Sequence, residues 1–162
     1  MSEPMNLSES VLVAAPPEAV WDLVADVTRM GEWSPETTAA WWLGGTTAAA
    51  PGARFKGRNK RGRMRWATTC EVTAADRASR FSFVRVSRID NGTDWTFTME
   101  PRDDGTLLTE SARQRKLPNS AARLAGRITF GSDREEQVRH GMTTTIGRIK
   151  SAAEAAAKPP TG

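Results

Sequence analysis

Residues 132–157 read SDREEQVRHGMTTTIGRIKSAAEAAA, a helix with both its start and its stop written into the residues. Ser132-Asp133-Arg134-Glu135 has the form of a capping box, in which side chains satisfy the first free backbone amides. Val138, Met142, Ile146, Ile149, Ala153 and Ala156 follow at spacings of 4, 4, 3, 4 and 3. Lys158-Pro159-Pro160 ends the pattern, because proline cannot continue a helix. A helix with one apolar stripe must lay that stripe on another element. The residues before it predict a sheet.

Working back from the helix, the period changes from 3.6 to 2. Residues 106–116 read as a last strand after an Asp104-Gly105 turn. Residues 93–100 put Trp95, Phe97 and Met99 on one face and Asp94, Thr96 and Thr98 on the other. Residues 80–88 read as a further strand, closed by Asn91-Gly92. A strand running to about Thr73 places Met64, Trp66, Thr68, Cys70 and Val72 together. Before it, Arg54, Lys56 and Arg58 alternate with Phe55, Gly57 and Asn59 as far as a Lys60-Arg61-Gly62 turn. Residues 37–43 read as a strand and 44–52 as a loop. Near the start, residues 7–14 form a first strand, and Pro16-Pro17-Glu18 opens a helix with Val20, Trp21, Leu23, Val24 and Val27 as its apolar stripe. Residues 28–33 add a short helical turn, stopped by Ser34-Pro35. A second helical pattern, Ala121, Leu124, Ala125 and Ile128, precedes the long one and is broken by Gly131. The order is strand, short helices, about six strands, long helix. Consecutive strands pair, so the sheet is an antiparallel meander, and its inner face receives the long helix.

Composition narrows the function. The chain has 162 residues, enough for one domain that buries roughly 70% of its unfolded surface. Hydrophobic residues make up 38% and charged residues 26%, which fits neither a membrane-spanning nor a disordered protein. There is no apolar run of membrane-spanning length and no secretory leader, so the expectation is a cytoplasmic protein without stable membrane insertion. A single cysteine, Cys70, and a single histidine, His140, exclude disulfide frameworks and Cys/His zinc sites. No metal or cofactor is expected. There are six tryptophans and no tyrosine.

The net charge of +4 comes from one place. Residues 53–66 hold seven cations and no acid, leaving 16 cations and 19 acids elsewhere. A cationic hairpin of this kind is a solvated face or an anion-attracting patch. Without a recognition helix or an aromatic platform beside it, specific nucleic-acid binding is not expected.

Ala14-Ala15-Pro16-Pro17-Glu18-Ala19-Val20-Trp21-Asp22-Leu23-Val24-Ala25-Asp26 resembles the opening of the polyketide cyclase/dehydrase-like branch of the START-like (SRPBCC) superfamily. Glu32-Trp33-Ser34-Pro35, Arg65-Trp66, Trp95-Thr96-Phe97 and Gly105-Thr106-Leu107-Leu108-Thr109-Glu110-Ser111 match the same branch in order, over roughly residues 7–156. The resemblance implies an α+β helix-grip fold: a seven-stranded curved antiparallel sheet wrapped around a long C-terminal helix, with an apolar ligand cavity. It implies one START-like domain over residues 1–157 and a disordered tail at 158–162. The helix at 120–130 departs from the simplest members and is a candidate cap for the cavity mouth. Activity follows less closely, because the branch mixes carriers, cyclases and proteins of unknown role.

Nine residues are the candidate ligand contacts: Trp33, Trp66, Cys70, Phe83, Trp95, Phe97, Glu110, Arg113 and Met142. Indoles pair an apolar body with a polar N–H, which suits a cavity wall. Glu110 is ambiguous, because Leu107 and Leu108 are both apolar. Facing out, it pairs with a neighbouring arginine; facing in, with Leu108 and Ala112, it has a raised pKa and can act as a general acid or base. Arg113 or Trp33 would help Glu110 orient a polar end. His140 lies about 200° around the helix from Val138 and points to solvent. Cys70 lacks an available base and reads as a small buried hydrophobe. The leading expectation is a non-enzymatic binding protein for an apolar, lipid-like or aromatic polyketide-like molecule. The rival is an aromatase/cyclase or dehydratase using Glu110. A third possibility is a protein-interaction module using the 54–65 hairpin. The residues leave oligomeric state open.

Overall fold

The computed structural model describes residues 3–87, 92–115, 119–131 and 133–158. Seven strands form one antiparallel sheet: β1 (Asn6–Val13), β2 (Thr37–Trp42), β3 (Arg54–Arg61), β4 (Met64–Asp76), β5 (Arg80–Arg85), β6 (Thr93–Arg102) and β7 (Gly105–Gln114). Across the sheet they run β1-β7-β6-β5-β4-β3-β2. The meander from β2 to β7 is as expected, and β1 pairs with its last strand. The β1-to-β2 connection carries α1 (Pro17–Val24), a 3-10 turn (Val27–Arg29) and α2 (Met30–Trp33). Pro16 and Pro17 start α1 where no amide is needed, and Val20 and Val24 bury its inner side. The Asp26 carboxylate accepts from the Thr28 amide at 3.1 Å and opens the 3-10 turn. Ser34 Oγ accepts from the Glu36 and Thr37 amides and leads the chain into β2.

Strand parity sets what faces inward. Phe55 lies opposite Cys70, and Asn59 opposite Trp66. Val72 lies opposite Phe83, Phe83 opposite Trp95, and Phe81 opposite Phe97. A register shift between Val72 and Ala74 then exchanges the faces, so Ala75 rather than Ala74 meets Phe81. Such an extra residue bends the strand and curves the sheet. The β6–β7 turn is Asp103-Asp104, one residue earlier than the expected Asp104-Gly105. Gly105 belongs to β7 at φ +143°, where an added Cβ would meet the Val13 carbonyl oxygen at 2.1 Å. The β3–β4 turn also moves: Lys60 and Arg61 are strand, and Gly62 turns the chain at φ +57°.

α4 (Arg134–Ala157) lies across the inner face with Val138, Met142, Thr145, Ile146, Ile149 and Ala153 buried. Ala156, expected in the stripe, is exposed. Ser132 lies outside the described residues, and Asp133 occupies the N-cap without a side-chain cap bond. Three contacts tie α4 along β1: Arg139 to Glu9, Lys150 Nζ to the Leu12 carbonyl at 2.8 Å, and Glu154 to the Ala14 amide at 2.9 Å. The result is the α+β helix-grip arrangement, a curved sheet around a long C-terminal helix. The helix expected at 120–130 is present as α3 (Ser120–Phe130), but its apolar side is not packed. Leu124 is 62% and Ile128 79% exposed. The tail expected at 158–162 falls, apart from Lys158, outside the described residues.

The buried apolar residues form two clusters. The larger holds Val13, Val20, Val24, Val27, Trp33, Phe55, Phe81, Phe83, Phe97, Met99, Leu108, Ile146 and Ile149, with smaller residues between them. The smaller joins Leu7, Ala112, Val138 and Met142. Trp95 packs against both.

Candidate functional site

Glu110 stands between the two clusters. Leu108 belongs to the larger and Ala112 to the smaller, both fully buried, so the alternation places Glu110 on the inner face. It is 5% exposed, opposite Phe97 on β6 and Glu9 on β1. Glu9 is bonded to Arg139 of α4. Glu110 Oε2 is buried without a hydrogen-bond partner. Burial therefore holds its carboxyl well above the ordinary value of 4.5. Burial thus favours the protonated carboxyl, a form able to donate one hydrogen bond and accept others.

A second polar group lines the inner face nearer the β3–β4 turn. Thr37 Oγ1 donates to Asn59 Oδ1 at 2.9 Å, and Asn59 Nδ2 donates to Thr68 Oγ1 at 3.3 Å. Two residues along β3, Arg61 shares the parity of Phe55, Gly57 and Asn59. Its Nη1 is buried without a partner, as is Oε1 of Gln137 on α4. Both line an open cleft of about 790 Å³ between the β3–β4 turn, Pro35-Glu36 and the first turns of α4. Arg134 holds Glu36 at its edge through two bonds, at 2.7 and 3.3 Å. A ligand oxygen can accept a hydrogen bond from Arg61 Nη1 while a ligand hydroxyl or amide donates one to Gln137 Oε1. Among the described residues, no group of three His, Cys, Asp or Glu side chains is placed to hold a metal ion.

The chain from residue 4 to 154 matches the family model described as polyketide cyclase / dehydrase and lipid transport. It belongs to that family. A Polyketide_cyc-like protein of Corynebacterium glutamicum, Cgl2372, is 30% identical with a TM-score of 0.58, over 96% of this chain and 93% of that one. The Zhui aromatase/cyclase from Streptomyces sp. R1128 is 16% identical with a TM-score of 0.75, over 99% of both chains. The di-domain ARO/CYC StfQ of the steffimycin biosynthetic pathway is 13% identical with a TM-score of 0.74. The match covers 95% of this chain and 52% of StfQ. At such identities the last two likenesses establish the shared fold. None of the curated proteins compared matches the chain.

In this member of the polyketide cyclase/dehydrase family, the nine expected contacts separate. Phe83 and Phe97 are core residues, and the rings Trp42, Phe55, Phe83 and Phe81 are packed in succession at 5.8, 5.1 and 5.7 Å. Cys70 is buried beside them, its thiol pushed up to about 12 by burial, so it stays protonated and unreactive. Trp33 is buried with its Nε1 unpartnered, and Arg29 lies 5.0 Å over its ring. Trp66 and Trp95 are half-buried on the inner face, and Met142 closes the smaller cluster. Glu110 faces in. Arg113 does not: odd positions of β7 face outward, its side chain is 70% exposed, and it lies 3.5 Å from Asp94. None of the nine lines the open cleft. His140 is exposed, as expected, and borders that cleft. Sequence reasoning missed Arg61 and Gln137. Extending the period-two alternation through Lys60 instead of starting a turn there would have found Arg61.

Proposed function

We propose that the chain binds an apolar, lipid-like or aromatic polyketide-like molecule bearing hydroxyl or carbonyl groups, held between α4 and the sheet. Glu110 carries this reading: a buried carboxylic acid with an unpartnered oxygen sits where the apolar core divides in two. Leaving such a group without a partner costs roughly 1–3 kcal/mol, which a ligand hydroxyl or carbonyl would recover. Trp66, Trp95 and Met142 would cover the apolar body at about 25 cal/mol per Å² buried. Arg61 and Gln137 would meet the polar end at the cleft. Native mass spectrometry of the freshly purified protein tests this by revealing a co-purified molecule. Replacing Trp66 and Trp95 together by alanine should remove it. An unchanged ligand load on a folded double variant refutes the interior site.

The raised carboxyl of Glu110 also favours a second reading, proton transfer during cyclisation or dehydration of a poly-ketone. A neutral acid can protonate a carbonyl or a departing hydroxyl, then recover the proton from carbon or water. This reading expects turnover, with Glu110→Gln lowering the rate by about a hundredfold while ligand affinity is largely kept. Retained turnover in that variant would exclude it.

A further inference from the structure

Cations and exposed apolar side chains are both concentrated at the cleft end of the molecule. Residues 53–66 hold seven cations and residues 111–131 another five, with no acid in either segment; the rest holds 11 cations against 19 acids. Antiparallel pairing brings the tip of the first segment, the end of β7 and the start of α4 to this one end, where Glu36, Asp133, Glu135 and Glu136 offset part of the positive charge around the cleft. The far end carries the β4–β5 and β6–β7 turns, where Asp76 and Glu100 are paired with Arg80 and Arg102, Arg77 is paired with Asp22, and Asp103 and Asp104 add further negative charge.

Five large apolar side chains are exposed among the described residues, and three of them lie at the cleft end. Val86 follows β5 at 45%, and Leu124 and Ile128 stand on α3 at 62% and 79%. Four residues apart, Leu124 and Ile128 share one face of that helix. Arg123 and Arg127 precede them, and α3 contains no acid. A helix with a few large aliphatic residues on one side, cations beside them and little overall hydrophobicity lies in the plane of a bilayer interface. The aliphatic side chains protrude rather than line a groove, which suits a fluid apolar layer better than the shaped surface of an acidic protein.

We propose that this end docks reversibly on an anionic lipid surface. Leu124 and Ile128 enter the headgroup region, and Arg127, Lys60, Arg63 and Arg65 face the phosphates. The excess of cations at the β3–β4 tip and on α3 turns the molecule so that these two elements, rather than the acid-lined cleft itself, meet the bilayer. No helix among the described residues is long and apolar enough to cross a membrane, so attachment through α3 is peripheral. Docking is a surface property that stands apart from the interior ligand reading, and Glu110→Gln should leave it unchanged.

Co-sedimentation of the full chain with phosphatidylcholine vesicles, with and without phosphatidylglycerol, tests the proposal. Binding is expected only with the anionic vesicles, and added salt should release the protein. Leu124→Ser with Ile128→Ser should lower partitioning by about tenfold or more. Arg127→Gln should lower it about fivefold. The melting temperature should not change in these variants, because the altered side chains are off the core. Absence of binding, equal binding to both vesicle types, or full binding by the Leu124/Ile128 variant would overturn the proposal. Retention on immobilised polyglutamate without vesicle binding would assign the face to an acidic protein and overturn it too.

Discussion

At position 110 burial makes the native state keep its carboxyl proton to higher pH than the unfolded state does. The group's folded value is raised, so above about pH 4.5 the unfolded chain binds fewer protons than the native one. Stability therefore falls as pH rises through the interval between the unfolded and folded values. Glu110→Gln removes the titration and should flatten that decline, leaving the ligand-free protein's stability less dependent on pH. Melting temperatures of the two proteins across the pH range check this; parallel curves would mean the carboxyl is solvated. The side chain's direction was not legible in the sequence. Leu107 and Leu108 are both apolar, so either parity of β7 satisfies the pattern, and only pairing with β6 and β1 chooses between them. Arg113 shows the same limit, because its role depended on that parity.

Among the elements, those with clean alternation or a long single stripe were the ones legible beforehand. β4 and β6 alternate apolar with polar or small residues, and their inner faces match the structure up to the shift at Val72/Ala74. A bulge leaves no mark in a hydrophobic pattern, so that shift was hidden. Both misplaced turns lie at glycines that were read as turn centres. Gly105 serves instead as a place where two backbones touch. Gly105→Ala would strain φ and press a methyl group onto the Val13 carbonyl. It should destabilise the protein by about 2 kcal/mol or more, by separating the β1 and β7 ends. Denaturant titration measures this; a loss below half a kcal/mol would mean that β1 yields freely. α3 shows a further limit, since its helical period was correct but nothing in a period says whether the stripe finds a partner.

For the molecule as a whole, the proposed ligand would tie stability to what lies between the two parts of the core. The larger cluster is closed by aromatic rings packed edge-to-face or tilted, whereas the smaller has four buried residues and touches the larger through Trp95. A ligand that spans the division adds apolar contact to both clusters and gives Glu110 a partner. Binding to the native state alone stabilises by about 2.7 kcal/mol when free ligand is a hundredfold above its dissociation constant. Protein unfolded in guanidinium on a column, washed and refolded without ligand should melt several degrees below the purified form. Adding back the extracted molecule should restore the difference in the wild type but not in the Trp66→Ala, Trp95→Ala variant. Identical melting of the loaded and stripped forms, with mass spectrometry confirming the loss, would show that the two clusters need no guest between them. The interior would then be a scaffold for the charged cleft alone.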